Sequence, residues 1–289
     1  MKIGVLAFIT ETSIDTITFA RKAESLGFDS FYLPEHPVIP VVRNSAYPGR
    51  ADGIMPEVLA HFIDPFIGLA QAAAVTSRIE LGTGICLVPE HDPIILAKEI
   101  ATLDLCSGGR FIFGIGAGWL AEESAVMGVD FKRRWPITRE YIRAMKELWT
   151  KAEASFDGEF LKFPAVKCYP KPARKPYPPV LIGATASGAA RDRALRDTVA
   201  IGDGWAPLGL TPQVLAIETG KLKKLCAEAG RDYKSLEIAM FAPVVDGEPK
   251  RVIEQYAEAG ANQLIFLIDS PAPDSWERQL TDLAKAWVN

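Results

Sequence analysis

The sequence predicts an α/β fold, a (β/α)8 barrel, and three observations carry that expectation. Eight short β-rich apolar runs recur along the chain, amphipathic segments separate them, and no linker rich in Pro, Gly or Ser divides the 289 residues. Strands that alternate with helices and are apolar on both faces belong to parallel sheets. Eight of them in this length favour a closed barrel over an open doubly wound sheet. Residues 1–289 therefore read as one domain.

The runs are "KIGVLAF" (2–8), "FDSFYL" (28–33), "RIELGTGICLV" (78–88), "RFIFGIG" (110–116), "PVLIGA" (179–184), "DGWAPL" (203–208), "LEIAMFAPV" (236–244) and "NQLIFLI" (262–268). The sixth is the least strand-like and reads as strand or loop. After the first run, Ile14, Ile17, Ala20, Ala23 and Leu26 fall at helical spacing, and Gly27 suits the left-handed position that ends a helix. Three later helices start at Asp64-Pro65, Asp92-Pro93 and Thr211-Pro212. The first residue of each pair accepts an orphan backbone N–H, and proline at the first helical position forfeits no hydrogen bond.

Two stretches exceed the usual loop length. Residues 34–61 follow the second run, so in a barrel they insert over the mouth, as a substrate lid or as a packed surface excursion. Residues 151–178 precede the fifth run and contain "SFDGEFLKF", a small hairpin turning at Asp157-Gly158.

Composition narrows the function. A net charge of -4 without a long run of either sign argues against a nucleic-acid binder. Cys86, Cys106, Cys168 and Cys226 lack the paired spacing of a metal site or redox dithiol. No metal is expected, and the thiols read as incidental in a reducing compartment. The N-terminal apolar run is too short for a signal sequence and no run spans a membrane, so a cytoplasmic protein is expected.

"FIFGIGAGWLAEE" (111–123) raises the question of a phosphate. Its G-x-G-x-G spacing follows the fourth strand, not the first, and Trp119 stands where a dinucleotide fingerprint needs its third glycine. No Gly-Lys-Ser/Thr follows, which removes a Walker A loop. The remaining reading is a strand ending in small residues that admits a ligand to the backbone near a helix start. "LIGATASGAARDRAL" (181–195) has the same character, as a phosphate cradle or as a tightly packed loop.

With these segments together, the chain resembles the luciferase-like monooxygenase superfamily, in its branch of probable F420-dependent oxidoreductases. The resemblance spans nearly the whole chain. It rests on "FYLPEHPVIP", "TSRIELGTGICLVPEHDPIILAKEIATLDLCSGGRFIFGIGAGW", "FKRRWPITREYIRAMKELW" and "PVLIGATASGAARDRALRD…GDGWAP". It implies a cofactor ring at the strand C-termini, buttressed by Thr83, Gly84 and Ile85, with a non-proline cis peptide at Gly84–Ile85. It further implies that Gly116, Ala117, Gly118 and Trp119 line the ring and its chain. Gly183, Ala184, Thr185, Ser187 and Gly188 would hold the phosphate, and His36 would be the active-site histidine.

An imidazole there can take a proton from a substrate hydroxyl. Glu35 is read as a solvated acid, with orientation of His36 as the alternative; His91 is read as structural. Where sugar-phosphate dehydrogenases of the superfamily carry a catalytic glutamate, this chain has Trp119; Glu122 and Glu123 follow without a defined direction. Residues 132–135, "KRRW", read as local capping and ion pairing, or as a seat for an acidic tail. Arg43 and Arg50 are candidate partners for a substrate carboxylate or a polyglutamyl tail. The implied function is F420-dependent hydride exchange with a small organic substrate. The alternatives are an FMN-dependent monooxygenase using O2 and a non-catalytic binding barrel. The resemblance also implies a homodimer.

Overall fold

The computed structural model describes residues 1–50, 52–184, 188–242, 248–268 and 275–288. Each of the eight apolar runs forms a strand. They are β1 (Lys2–Ala7), β2 (Ser30–Leu33), β3 (Glu80–Thr83) continued by β4 (Cys86–Leu87), β5 (Phe111–Gly116), β8 (Val180–Ala184), β9 (Gly204–Pro207), β10 (Glu237–Ala242) and β11 (Gln263–Ile268). β3 and β4 are two halves of one stave, parted at the Gly84–Ile85 peptide, which is cis. All neighbours are parallel, in the order β3-β2-β1-β11-β10-β9-β8-β5-β4, and β3 pairs with β5 to close the ring. The result is an eight-stave (β/α)8 barrel. The sixth run is a true strand, registered with β8 through Leu181↔Gly204 and with β10 through Glu237↔Gly204.

Helices α1 (Thr16–Ser25), α2 (Pro65–Val75), α3 (Pro93–Cys106), α4 (Ala121–Val126), α5 (Arg134–Thr150), α6 (Ala189–Ile201), α7 (Pro212–Glu228), α8 (Pro249–Glu258) and α9 (Trp276–Trp287) surround the staves. The predicted caps are present. Asp64 accepts from the amide of Ile67, Asp92 from those of Ile94 and Ile95, and Thr211 from that of Val214. The apolar faces of the helices pack on the outside of the barrel in one continuous core. Inside it, Leu6, Tyr32, Ile112, Leu181, Ala206, Ala239, Phe241 and Ile265 form a second cluster. These come from successive staves with period-two side chains, so the lumen is a packed plug and ligands are confined to the mouth.

The hairpin before β8 is antiparallel, β6 (Ala154–Asp157) with β7 (Lys162–Val166). It turns at the predicted Asp157-Gly158, through a connection of residues 158–161 whose tip Glu140 of α5 caps. The Glu140 carboxylate accepts from the amides of Glu159, Phe160 and Leu161. Among the described residues, no helix is long and apolar enough to cross a membrane.

Candidate active site

The mouth is built where β2, β3/β4 and β5 end. β2 delivers Leu33 and then Pro34-Glu35-His36. The His36 Nδ1 lies 2.8 Å from Glu123 Oε2, and the Glu123 side chain is fully buried in the first turn of α4. The other Glu123 oxygen accepts from the amide of Val38 at 3.4 Å. An N–H donated from Nδ1 to the carboxylate leaves Nε2 with its lone pair, so the ring can accept a proton there. The sequence left Glu123 without a direction; the short α4 turns it inward because Gly118, at φ +79°, reverses the chain just before the helix.

Aromatic rings frame this imidazole. Trp119 meets His36 edge-on at 6.0 Å, and Tyr47 meets Trp119 at 5.4 Å. Phe62 stacks on His36 at 6.2 Å and contacts Phe8 at 4.8 Å. Tyr47 and Phe62 belong to the segment after β2, so that segment packs over the mouth. Glu122 fastens it from α4, accepting from the amides of Asn44 at 2.7 Å and Ser45 at 3.2 Å, which holds its carboxyl down at about 2. Tyr47 and Phe62 had no signal in the sequence, since each meets His36 or Trp119 only through chain reversal.

The glycines of β5 serve a different purpose from the one expected. A Cβ on Gly116 would lie 1.9 Å from Ile85 Cδ1, and one on Gly114 would lie 2.1 Å from the Thr83 carbonyl oxygen. A Cβ on Gly183 would meet Ile85 Cγ2 at 2.8 Å. These three positions make room for the distorted stave β3/β4 rather than directly for a ligand. Thr83 is likewise withdrawn: it is fully buried and its hydroxyl donates to the Gly114 carbonyl at 2.7 Å. Gly84 rests on the interior plug, where a Cβ would touch Leu6 Cδ1 at 2.8 Å and Phe241 Cε1 at 3.1 Å. The half-buried Gly84 and Ile85 therefore form the floor of the mouth. Ala117 is buried beside them, and Gly118 and Trp119 are half-buried.

Gly188 precedes α6 with φ +59°, and among the described residues nothing lies within 4 Å of the space its Cβ would occupy. No described side chain caps that helix, in contrast to α1, α2, α3, α7 and α8. Thr185 and Ser187, expected in the same cradle, lie outside the described residues; the backbone of Ala184 pairs with Pro207. Two arginines add positive charge here. Arg134 donates to the Gly118 carbonyl at 3.1 Å and lies over the Phe131 ring. Arg193 of α6 lies over Trp135, with its Nε buried and unpartnered. Burial lowers the pKa of Arg134, and its proximity to Arg193 lowers it further.

Other expectations need correction. Glu35 is buried, not solvated, and does not orient His36. Its carboxylate accepts from the Leu87 amide at 2.5 Å and pairs with His91 Nε2 at 2.9 Å. Burial is the largest influence on His91 and opposes its charge, but the hydrogen bond to Glu35 and the charges of Glu35, Glu99 and Asp64 together outweigh it and raise the pKa. Burial pushes the nearby Cys86 thiol well up, so this cluster is a hydrogen-bonded strut. Arg43 donates to the Pro40 carbonyl at 3.0 Å, and Arg50 pairs with Asp52 at 2.8 Å, so both candidate substrate arginines are engaged locally. Arg133 pairs with Glu159 and lies over Phe160, as a local role for "KRRW" requires.

The barrel mouth thus combines a distorted third stave, a buried imidazole–carboxylate pair and a helix start that, among the described residues, has no side-chain cap. The chain belongs to the luciferase-like monooxygenase family, whose pattern it matches over residues 1–285. It is 40% identical, over 280 residues and 95% of either chain, to an uncharacterized protein of Mycobacterium tuberculosis. It is 31% identical to an F420-dependent glucose-6-phosphate dehydrogenase of Amycolatopsis mediterranei, over 55% of this chain and 44% of that one. In fold it is similar to an F420-dependent secondary alcohol dehydrogenase (TM-score 0.77, 19% identity, 99% and 97% covered). It is also similar in fold to the FMN-bound oxygenating constituent of a 3,6-diketocamphane monooxygenase from Pseudomonas putida (TM-score 0.72, 16% identity, 99% and 97% covered).

Proposed function

We propose that this protein is an F420-dependent oxidoreductase that exchanges a hydride with a small organic substrate at the barrel mouth. The observation that carries the reading is the His36–Glu123 pair, 2.8 Å apart on the floor-side of an aromatic frame. Hydride exchange with an alcohol, enone or imine requires a proton to move as well, and this pair is built to move one. The 31% identity to an F420-dependent dehydrogenase supports the deazaflavin over FMN.

The residues present fit such a cofactor. The space at Gly188 and the start of α6, which no described side chain caps, suit a phosphate. The unpartnered Arg193 Nε and the adjacent Arg134 supply charge for it. Gly84 and Ile85 would support the ring, and Trp119 would close one side against water. When bound, the deazaflavin supplies the hydride chemistry. The protein supplies the rest: Nε2 of His36 accepts the substrate proton, and the buried Glu123 carboxylate stabilises the imidazolium that results.

The test is a fluorescence titration of the purified protein with F420 and, separately, with FMN. Selective binding of F420, weakened in Arg193→Met for phosphate-bearing forms but not for the phosphate-free deazaflavin, is the expected result. Selective binding of FMN would replace this reading with oxygen chemistry, and binding of neither would favour an inert barrel.

A further inference from the structure

Two copies of the tripeptide Pro-Glu-His end adjacent staves, at residues 34–36 and 89–91. The structure crosses them. Glu35 of the first pairs with His91 of the second, while His36 of the first pairs with Glu123. Glu90 is left between the two pairs. Its side chain is buried, one oxygen contacts the Ser124 hydroxyl at 2.8 Å, and the other has no partner at all. Among the described residues, no Lys or Arg pairs with it. A carboxylate oxygen in that place would be an unpaired buried charge, whereas an uncharged carbonyl oxygen costs far less. The Ser124 hydroxyl donates to the other oxygen and is the one hydrogen bond there that favours the charged form.

We infer that Glu90 is a protonated carboxylic acid shared by the Glu35–His91 and Glu123–His36 pairs, and that its proton sets how tightly His36 holds its own. Glu90 is thus a positioning residue for the proton transfer proposed above, and the inference rests on that reading only for its catalytic meaning. The charged groups around it are consistent with this. From α4 it faces Glu123, from the end of β2 Glu35, and from its own turn His91. α5 packs on the same turn, but its Arg134 reaches the Gly118 carbonyl and its Tyr141 feels Asp92. Burial, then Glu123, push the Glu90 carboxyl up to about 8. Loss of the proton would place a second negative charge beside Glu123. His36 would then bind its proton more firmly and release it less readily during turnover.

Nuclear magnetic resonance of the three histidines in cofactor-free protein tests this without any turnover. The expected result is a second inflection near pH 8 in the imidazole signals of both His36 and His91, absent in Glu90→Gln, which keeps the shape. An infrared band of a protonated carboxyl group, lost over the same pH range and missing in the variant, should accompany it. Ser124→Ala, should Glu90→Gln fold poorly, is expected to move the inflection to higher pH by removing a hydroxyl that favours the charged form. Histidine curves identical in wild type and variant, or an inflection unmoved by Ser124→Ala, would overturn the inference. Coupled histidines in a protein that binds neither F420 nor FMN would leave it standing while sinking the functional reading.

Discussion

His36 Nδ1 and Glu123 Oε2 stand 2.8 Å apart, with the glutamate fully shielded from water and the histidine side chain 8% exposed. Burial makes this contact far stronger than a surface pair, because the carboxylate has few other partners to satisfy it. Glu123→Gln keeps the shape but removes the charge that favours the imidazolium. Turnover is expected to fall about 10²-fold or more, with binding of the cofactor unchanged. Steady-state kinetics beside a cofactor titration checks this; full activity in the variant would remove the pair from the chemistry.

The distorted stave and the β5 glycines form one packed unit. Gly114→Ala sets a methyl against a backbone oxygen that cannot retreat, and is expected to cost roughly 3 kcal/mol or to prevent folding. Gly116→Ala instead meets the end of the Ile85 side chain. Ile85→Val removes the clashing Cδ1, so the double variant should recover much of what Gly116→Ala loses. Denaturant melts of the two single variants and the pair would measure that coupling.

Glu122 ties the segment over the mouth to α4 through the amides of Asn44 and Ser45. These bonds favour its charged form, with a folded pKa of about 2 against an ordinary 4.5. The contribution is therefore fully present above pH 4.5 and fades as the pH drops toward 2. Glu122→Ala should loosen the segment at every pH. Limited proteolysis between residues 40 and 55 should be faster in the variant at pH 7, and in the wild type only in acid.

Glu90 has the opposite sign. Its folded pKa of about 8 lies above the ordinary 4.5, so its contribution to stability is complete below pH 4.5 and is lost as the pH rises through 8. Glu90→Gln carries no such dependence. Relative to wild type, the variant should gain stability steadily from pH 5 to pH 8, by an amount on the order of 4 kcal/mol. Equal melts across that range would show that Glu90 titrates normally.

Asp92 accepts two amides at the start of α3. Asp92→Ala should lower stability by about 1 kcal/mol, read in a thermal or denaturant melt.

Local chemistry made the barrel legible. Seven staves announce themselves as β-rich runs, the sixth less plainly, and α2, α3 and α7 begin at an Asp-Pro or Thr-Pro pair whose capping bond is complete within three residues. The resemblance added the family, the cis bond at Gly84–Ile85 and the place of His36. Misread features were those whose partners lie far along the chain. Glu35 looked solvated until His91, 56 residues away, closed over it. Gly116 looked ready for a ligand, although Ile85 occupies that space.

Periodicity, caps and turn residues act over a few positions of chain, so the order and kind of the elements are written locally. Which acid holds which histidine, and so where a proton can reside, depends on contacts made only when the barrel closes. Buried charge is governed by whatever closes around it, and barrel closure sets Glu123 against His36 across 87 residues of sequence.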